Sequence, residues 1–240
     1  VYLLSDNVLT PPERDEMFRE ELFGLPVFYQ YPPSEEAPPV AAVPAGQTGI
    51  ITFGSFNNPA KVNGEVIRLW AEVLRSVPGS RLLLKYKNLY DQTSLRDRVV
   101  ERFSACGIEQ NRIIFSITRD TIEEHLGHYC EVDIALDPFP FNGATTTFQA
   151  LWMGVPVVSL VGKRFTGRMA SSILHHLDLG ELVVDSSEAY VACARNLAGD
   201  VARLETMRAT LPERVANSPL CDASTYAHNV ETAYRDMWRT

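Results

Sequence analysis

The feature that most constrains this chain is an alternation beginning near residue 49, where short aliphatic and β-branched runs take turns with longer segments of helical period. Six runs read as strands: 50–56, 81–86, 112–117, 132–137, 156–161 and a weaker 181–184. They are apolar at successive rather than alternate positions, as strands buried on both faces are, and such burial belongs to a parallel sheet covered by helices. Between the first two runs, Val66, Trp70, Val73 and Val77 recur at helical spacing behind a capping Asn63, and Pro78-Gly79 stops the segment. Further helices are predicted after Ser94 as far as Gly107, after Thr121, over about 146–153 and over 168–179. This order of elements predicts an α/β fold, a doubly wound Rossmann-like parallel sheet with strand order 3-2-1-4-5-6. Helical segments at about 187–198, 200–215 and 223–239 follow, the last carrying Tyr226, Val230, Tyr234 and Trp238.

Residues 1–48 differ in kind. A short acidic piece of helical potential at 12–22 leads into Leu25-Pro-Val-Phe-Tyr29 and a Pro-rich run over 32–44, the composition of an extended connector with anchoring aromatics. The chain opens on Val rather than Met, and this segment has little periodicity, so it is expected to begin partway through a longer protein. The division predicted is therefore 1–48 as linker and tail of a preceding domain, 49–220 as the ligand-binding domain and 221–240 as a C-terminal helix returning towards the preceding half.

Composition narrows the partners. The net charge of -8, with no basic cluster longer than Lys163-Arg164, argues against nucleic acid or an anionic membrane surface. No apolar run approaches the roughly 20 residues of a membrane helix. Cys106, Cys130, Cys193 and Cys221 are scattered, without Cys-x-x-Cys spacing, which suits free thiols and a cytoplasmic location.

In an open α/β sheet the ligand lies beyond the C-terminal strand ends, so the strand-to-helix loops are the places to search. After the fourth strand the chain reads Asp137-Pro-Phe-Pro-Phe-Asn142-Gly143-Ala144-Thr145-Thr146-Thr147. Prolines set a turn, Gly143 admits close backbone approach and three hydroxyls meet a helix N-terminus, a combination suited to a diphosphate. The same threonines would also serve as a plain helix cap. After the first strand, Asn57 and Asn58 offer amides and Lys61 a positive charge. Singly, these are more often turn chemistry and a solvated lysine. In the predicted strand order, however, the two loops are neighbours. His125 falls near the same rim, and Gln149 lies one turn into the Thr-rich helix. Gly-x-Gly-x-x-Gly, Walker-type Gly-Lys-Ser/Thr, Gly-x-Ser-x-Gly and Asp-x-Asp are all missing. If a sugar diphosphate binds, Lys61, backbone amides and the helix dipole must replace a metal ion.

Several of these stretches, in this order, resemble the O-GlcNAc transferase/SPINDLY family, especially its bacterial members. They are Ile51-Thr-Phe-Gly-Ser-Phe-Asn-Asn-Pro-Ala-Lys61, Val77-Pro-Gly-Ser-Arg-Leu-Leu-Leu-Lys85, Asn111-Arg-Ile-Ile-Phe115 and the loop from Asp137 to Thr147. Ala150-Leu-Trp-Met-Gly-Val-Pro-Val-Val158, Arg168-Met-Ala-Ser-Ser172 and Tyr234-x-x-x-Trp238 continue the likeness. The resemblance implies the C-terminal half of a GT-B glycosyltransferase preceded by TPR repeats and an N-terminal catalytic domain. It implies an inverting, metal-independent transfer of GlcNAc from UDP-GlcNAc to an acceptor hydroxyl on protein or glycan, with no cofactor. It also implies Lys61 on the donor diphosphate as the catalytic charge, Asn58 beside it, Thr145 and Thr146 at the phosphate and His125 at the nucleoside. Ala144 stands where animal enzymes carry histidine, and Gln149 where an acidic residue often holds the ribose. A GDP-fucose donor, or a non-catalytic nucleotide-binding module, stays open on those two positions.

Overall fold

The computed structural model describes residues 1–12, 18–117 and 121–239. Its centre is a six-stranded, wholly parallel sheet ordered β5-β4-β3-β6-β7-β8. The strands are β3 (Thr52–Ser55), β4 (Arg81–Lys85), β5 (Ile113–Ser116), β6 (Ile134–Leu136), β7 (Val157–Leu160) and β8 (Val183–Val184). They follow the six predicted runs, shortened by one or two residues at one or both ends, in the predicted spatial order. β3 and β6 lie side by side, with Phe53 opposite Ile134, and their crossovers leave in opposite directions. That reversal opens a crevice above their C-terminal ends.

The helices form where the pattern asked for them. In α2 (Gly64–Ser76) the Asn63 side chain accepts the Glu65 and Val66 N–H groups at 2.8 and 3.0 Å, and Val66, Ile67, Trp70, Val73 and Leu74 make the buried stripe. α3 (Thr93–Ala105) precedes β5, and α4 (Ile122–Gly127) opens on a reciprocal capping box between Thr121 and Glu124. α5 (Thr145–Trp152) and α6 (Met169–His175) flank β7. α7 (Ser187–Ala198) and α8 (Val201–Ala216) follow β8, and α9 (Ala223–Arg239) closes the chain. α2 meets α3 and α7, while α5 meets α6 and α8, so the helices cover the sheet in two groups. No helix among the described residues is long and apolar enough to cross a membrane.

The first 48 residues hold more structure than a connector. β1 (Tyr2–Ser5) and β2 (Glu21–Gly24) pair in parallel as a separate two-stranded sheet. The helical piece expected at 12–22 is thus corrected at its end, where Glu21 and Leu22 are strand; residues 13–17 lie outside the described residues. The pairing joins positions about twenty apart, which local periodicity cannot register. Asp6 then fastens this segment to α6: its carboxylate accepts Val8 and Leu9 N–H groups at 2.9 and 2.8 Å and the Ser172 hydroxyl at 2.6 Å. Tyr31 stacks on Phe148 with ring centroids 4.7 Å apart, and Phe28 meets Phe165 edge-on at 5.6 Å. The short α1 (Pro44–Thr48) enters the sheet through Asp133, whose two oxygens accept from Ala45 N–H and Thr52 N–H.

Candidate functional site

A cleft of about 1150 Å³ occupies the crevice above β3 and β6. Asn57, Asn58, Lys61, His125, Ala144, Thr145, Thr146 and Gln149 all line it. The tertiary structure therefore gathers eight of the ten expected residues from three separate stretches: the loop after β3, helix α4 and the start of α5.

Beyond β3, Asn58 accepts the Ala60 N–H at 3.0 Å and caps the 3-10 turn Pro59–Lys61. That turn delivers the Lys61 ammonium to the Asn142 carbonyl at 2.7 Å, with the Phe141 ring centroid 4.1 Å away. Asn58 thus performs ordinary turn chemistry, and by doing so sets Lys61. Burial lowers the Lys61 pKa, against the pull of the Asp137 carboxylate.

Beyond β6, the chain runs into α5 with Ala144 at the cap position and no side chain capping the helix. The first-turn N–H groups have no intrahelical acceptors, and Thr145 and Thr146 of that turn line the cleft, so the positive end of the helix dipole lies at its edge. A threonine-capped helix is therefore not what forms. The three hydroxyls, expected to act together, separate. Thr145 is exposed, Thr146 donates to Asn57 Oδ1 at 3.1 Å, and Thr147 is buried and donates back to the Gly143 carbonyl at 3.2 Å.

Asn142 and Gly143 are both buried and do not line the cleft themselves; they touch it through Lys61, which donates to the Asn142 carbonyl. Asn142 Nδ2 donates to the Pro138 carbonyl at 3.0 Å. A Cβ on Gly143 would lie 2.3 Å from Thr146 Oγ1 and 3.1 Å from both Asn57 Oδ1 and Asp137 Oδ1, so only glycine lets these three side chains converge.

On the β4 side, Lys85 ends its strand buried and donates from Nζ to His125 Nδ1 at 3.2 Å. A lysine ammonium has no acceptor, so Nδ1 is the unprotonated nitrogen of that contact, and Nε2–H donates to Gln149 Oε1 at 3.2 Å. The Gln149 oxygen, expected to face a ribose, is thus engaged by His125. Lys85, Tyr86, Lys87, Phe141 and Met169 also line the cleft and were not anticipated. For Lys85 the available signal was a charged residue directly after three leucines, in the strand one place from the reversal. Among the described residues no three His, Cys, Asp or Glu side chains gather as a metal site.

Asp137 was likewise not anticipated as a functional group. It is buried at the end of β6, where its carboxylate accepts the Gly143 N–H at 2.7 Å and the Ser159 hydroxyl at 2.8 Å. Burial pushes this carboxyl up to about 7, against the Gly143 and Ser159 hydrogen bonds and the Lys61 charge. Between about pH 4, the unfolded value, and that raised value, the folded chain keeps a proton that the unfolded chain has lost. This group's contribution to stability therefore falls as pH rises through that window. Asp137→Asn removes the slope, so the variant is expected to gain on the parent between about pH 5 and about pH 8. Urea midpoints at both values check this, and a difference that does not change with pH would contradict it.

Residues 44–230 match the sequence profile of Glycosyl transferase family 41. The chain is 39% identical over 239 residues to the probable UDP-N-acetylglucosamine--peptide N-acetylglucosaminyltransferase SPINDLY of Oryza sativa subsp. japonica, covering 99% of this chain and 26% of that protein. It is 32% identical over 189 residues to the UDP-N-acetylglucosamine--peptide N-acetylglucosaminyltransferase of Caenorhabditis elegans, covering 79% of this chain and 16% of that protein. A solved mutant of the Thermobaculum terrenum O-GlcNAc transferase superposes with a TM-score of 0.86 at 34% identity, over 99% of this chain and 45% of that one. The chain spans about a quarter of the length of the curated relatives it matches first, and its doubly wound sheet is the C-terminal half of a GT-B fold. With the crevice, the loops and the profile in agreement over most of its length, the chain belongs to glycosyl transferase family 41.

Proposed function

We propose that this chain is the donor-holding half of an inverting, metal-independent glycosyltransferase that moves GlcNAc from UDP-GlcNAc to an acceptor hydroxyl, a protein Ser or Thr. One observation carries the reading: the Lys61 ammonium is held on the Asn142 carbonyl, three residues before the uncapped N-terminus of α5, at the sheet reversal. The relatives, named as UDP-N-acetylglucosamine--peptide N-acetylglucosaminyltransferases, supply the donor and the acceptor class.

The chemistry follows from where charge develops. An acceptor oxygen attacks the anomeric carbon, the bond from that carbon to the diphosphate oxygen breaks, and the leaving diphosphate takes up the negative charge. Lys61 leaves Asn142 for that charge, Asn57 keeps the Thr146 hydroxyl in place, and the α5 amides meet the same oxygens, so no metal ion is required. The nucleoside lies towards the His125–Gln149 pair. The base that receives the acceptor proton, and the acceptor surface itself, belong to the preceding half and its TPR repeats in a cytoplasmic protein.

Residues 1–48 act as the tail of that half and 49–220 as the donor domain. Helix α9 returns towards it, offering Tyr234 and Trp238, which are 59% and 90% exposed. The isolated chain is accordingly expected to bind UDP weakly and to turn over nothing. Calorimetry with UDP, UDP-GlcNAc, GDP and GDP-fucose tests the reading. Preference for the uridine pair supports it, and preference for GDP-fucose reassigns the donor. No binding of any nucleotide leaves a non-catalytic interaction module, which the His125 hold on Gln149 would then favour.

A further inference from the structure

The Asn142 carbonyl and the Gly143 N–H belong to one planar trans peptide, so they point in opposite directions. Asp137 Oδ1 accepts that N–H at 2.7 Å, and the carbonyl on the other side receives the Lys61 ammonium at 2.7 Å. A peptide whose N–H is held by a carboxylate cannot turn without losing a charge-assisted bond. The carboxylate is itself fixed by the Ser159 hydroxyl from β7, and the Asp137 carbonyl by the Tyr190 phenol from α7 at 3.1 Å. All three anchors of Asp137 are buried, while the lysine that the oriented peptide receives lines the cleft.

We propose that Asp137 is a positioning residue for the diphosphate lysine, holding Lys61 charged and aimed at the cleft through the Asn142–Gly143 peptide. The inference rests on the donor-site reading above for its purpose, but the link between Asp137 and Lys61 exists without ligand. The titratable groups around the pair are few. Tyr190 faces Asp137, and Lys85, Lys87 and His125 line the β4 side of the same cleft. The Asp137 charge raises the Lys61 pKa while burial, the larger influence, lowers it.

Two measurements test the proposal. In ligand-free protein, the Lys61 side-chain NMR resonances are titrated in the parent and in Asp137→Asn, which keeps an oxygen for Gly143 and removes only the charge. The Lys61 midpoint is expected to fall in the variant, and an unchanged midpoint overturns the proposal whether or not any nucleotide binds. Ser159→Ala, which keeps the carboxylate and removes one of its donors, serves as a milder second variant; it should displace the Lys61 midpoint downwards by less than Asp137→Asn does. UDP affinity against pH then tests purpose. Loss of binding at alkaline pH should set in earlier in Asp137→Asn, about tenfold weaker near pH 9. In a Lys61→Ala background the same substitution should add nothing; an undiminished further loss there would mean that Asp137 acts on the site without Lys61. Failure of the parent to bind UDP, with the Lys61 midpoint still displaced, would overturn the donor reading and leave the positioning role intact.

Discussion

Lys61→Ala is expected to weaken UDP binding by about 100-fold and, in the whole transferase, to lower kcat by about 10²–10³, the scale of removing one preorganised charge from a developing oxyanion. The ammonium is half-buried, its pKa is lowered chiefly by desolvation, and one of its contacts is a cation–π approach to Phe141 that is itself 45% exposed. Such a group contributes little to folding, because its desolvation cost offsets its hydrogen bond. The thermal midpoint should therefore stay within about 2 °C of the parent, a shift of no more than about 1 kcal/mol. Calorimetry with UDP and a melting curve separate the two effects. UDP binding that ignores the substitution would remove Lys61 from the phosphate site, and a large loss of stability would make it a structural lysine.

Arg208→Ala is expected to be the most destabilising single change near the sheet, by about 3–5 kcal/mol. Arg208 is 4% exposed in the middle of α8, and its guanidinium donates to the carbonyls of Tyr129 at 3.3 Å, Met153 at 3.1 Å and Val132. It also faces Asp133, the carboxylate that receives α1 and β3. Truncation orphans three buried carbonyls, leaves that carboxylate uncompensated and empties the volume under Gly154, whose φ of 73° lets it pack against Arg208. For a chain of this size the loss corresponds to a fall in Tm of about 10 °C. Arg208→Lys keeps the charge but not the fork, and should fall between the two. Urea unfolding checks both variants, and a loss below about 1 kcal/mol for the alanine would show that water replaces the guanidinium.

How much of this was legible beforehand depended on how local the physics is. The six strands and their order were readable because buried parallel strands are apolar at every position and their crossovers have one hand. The Asn63 cap was readable because its bonds close within three residues. The β1–β2 pair was not, since its two four-residue strands lie far apart in sequence and carry acidic and proline-rich flanks that look like connector. Lys85 and Asp137 were passed over for a different reason. A charge ending an apolar strand looks solvated in the sequence, and only the neighbouring strands and loops make it buried.

By itself, then, the sequence determined the doubly wound sheet, the two loops that meet at its reversal and the lysine between them, because periodicity, capping and strand burial are decided within a few residues. Only the tertiary structure decided which way each group in those loops faces. Thr147 turns back onto Gly143 while Thr146 turns to Asn57, Gln149 is taken by His125, and one peptide is held between Asp137 and Lys61. The Thr147 and Gly143 bonds close within six residues, but the partners of Thr146, Lys61 and Gln149 lie 24 to 89 residues away, and no local pattern carries those.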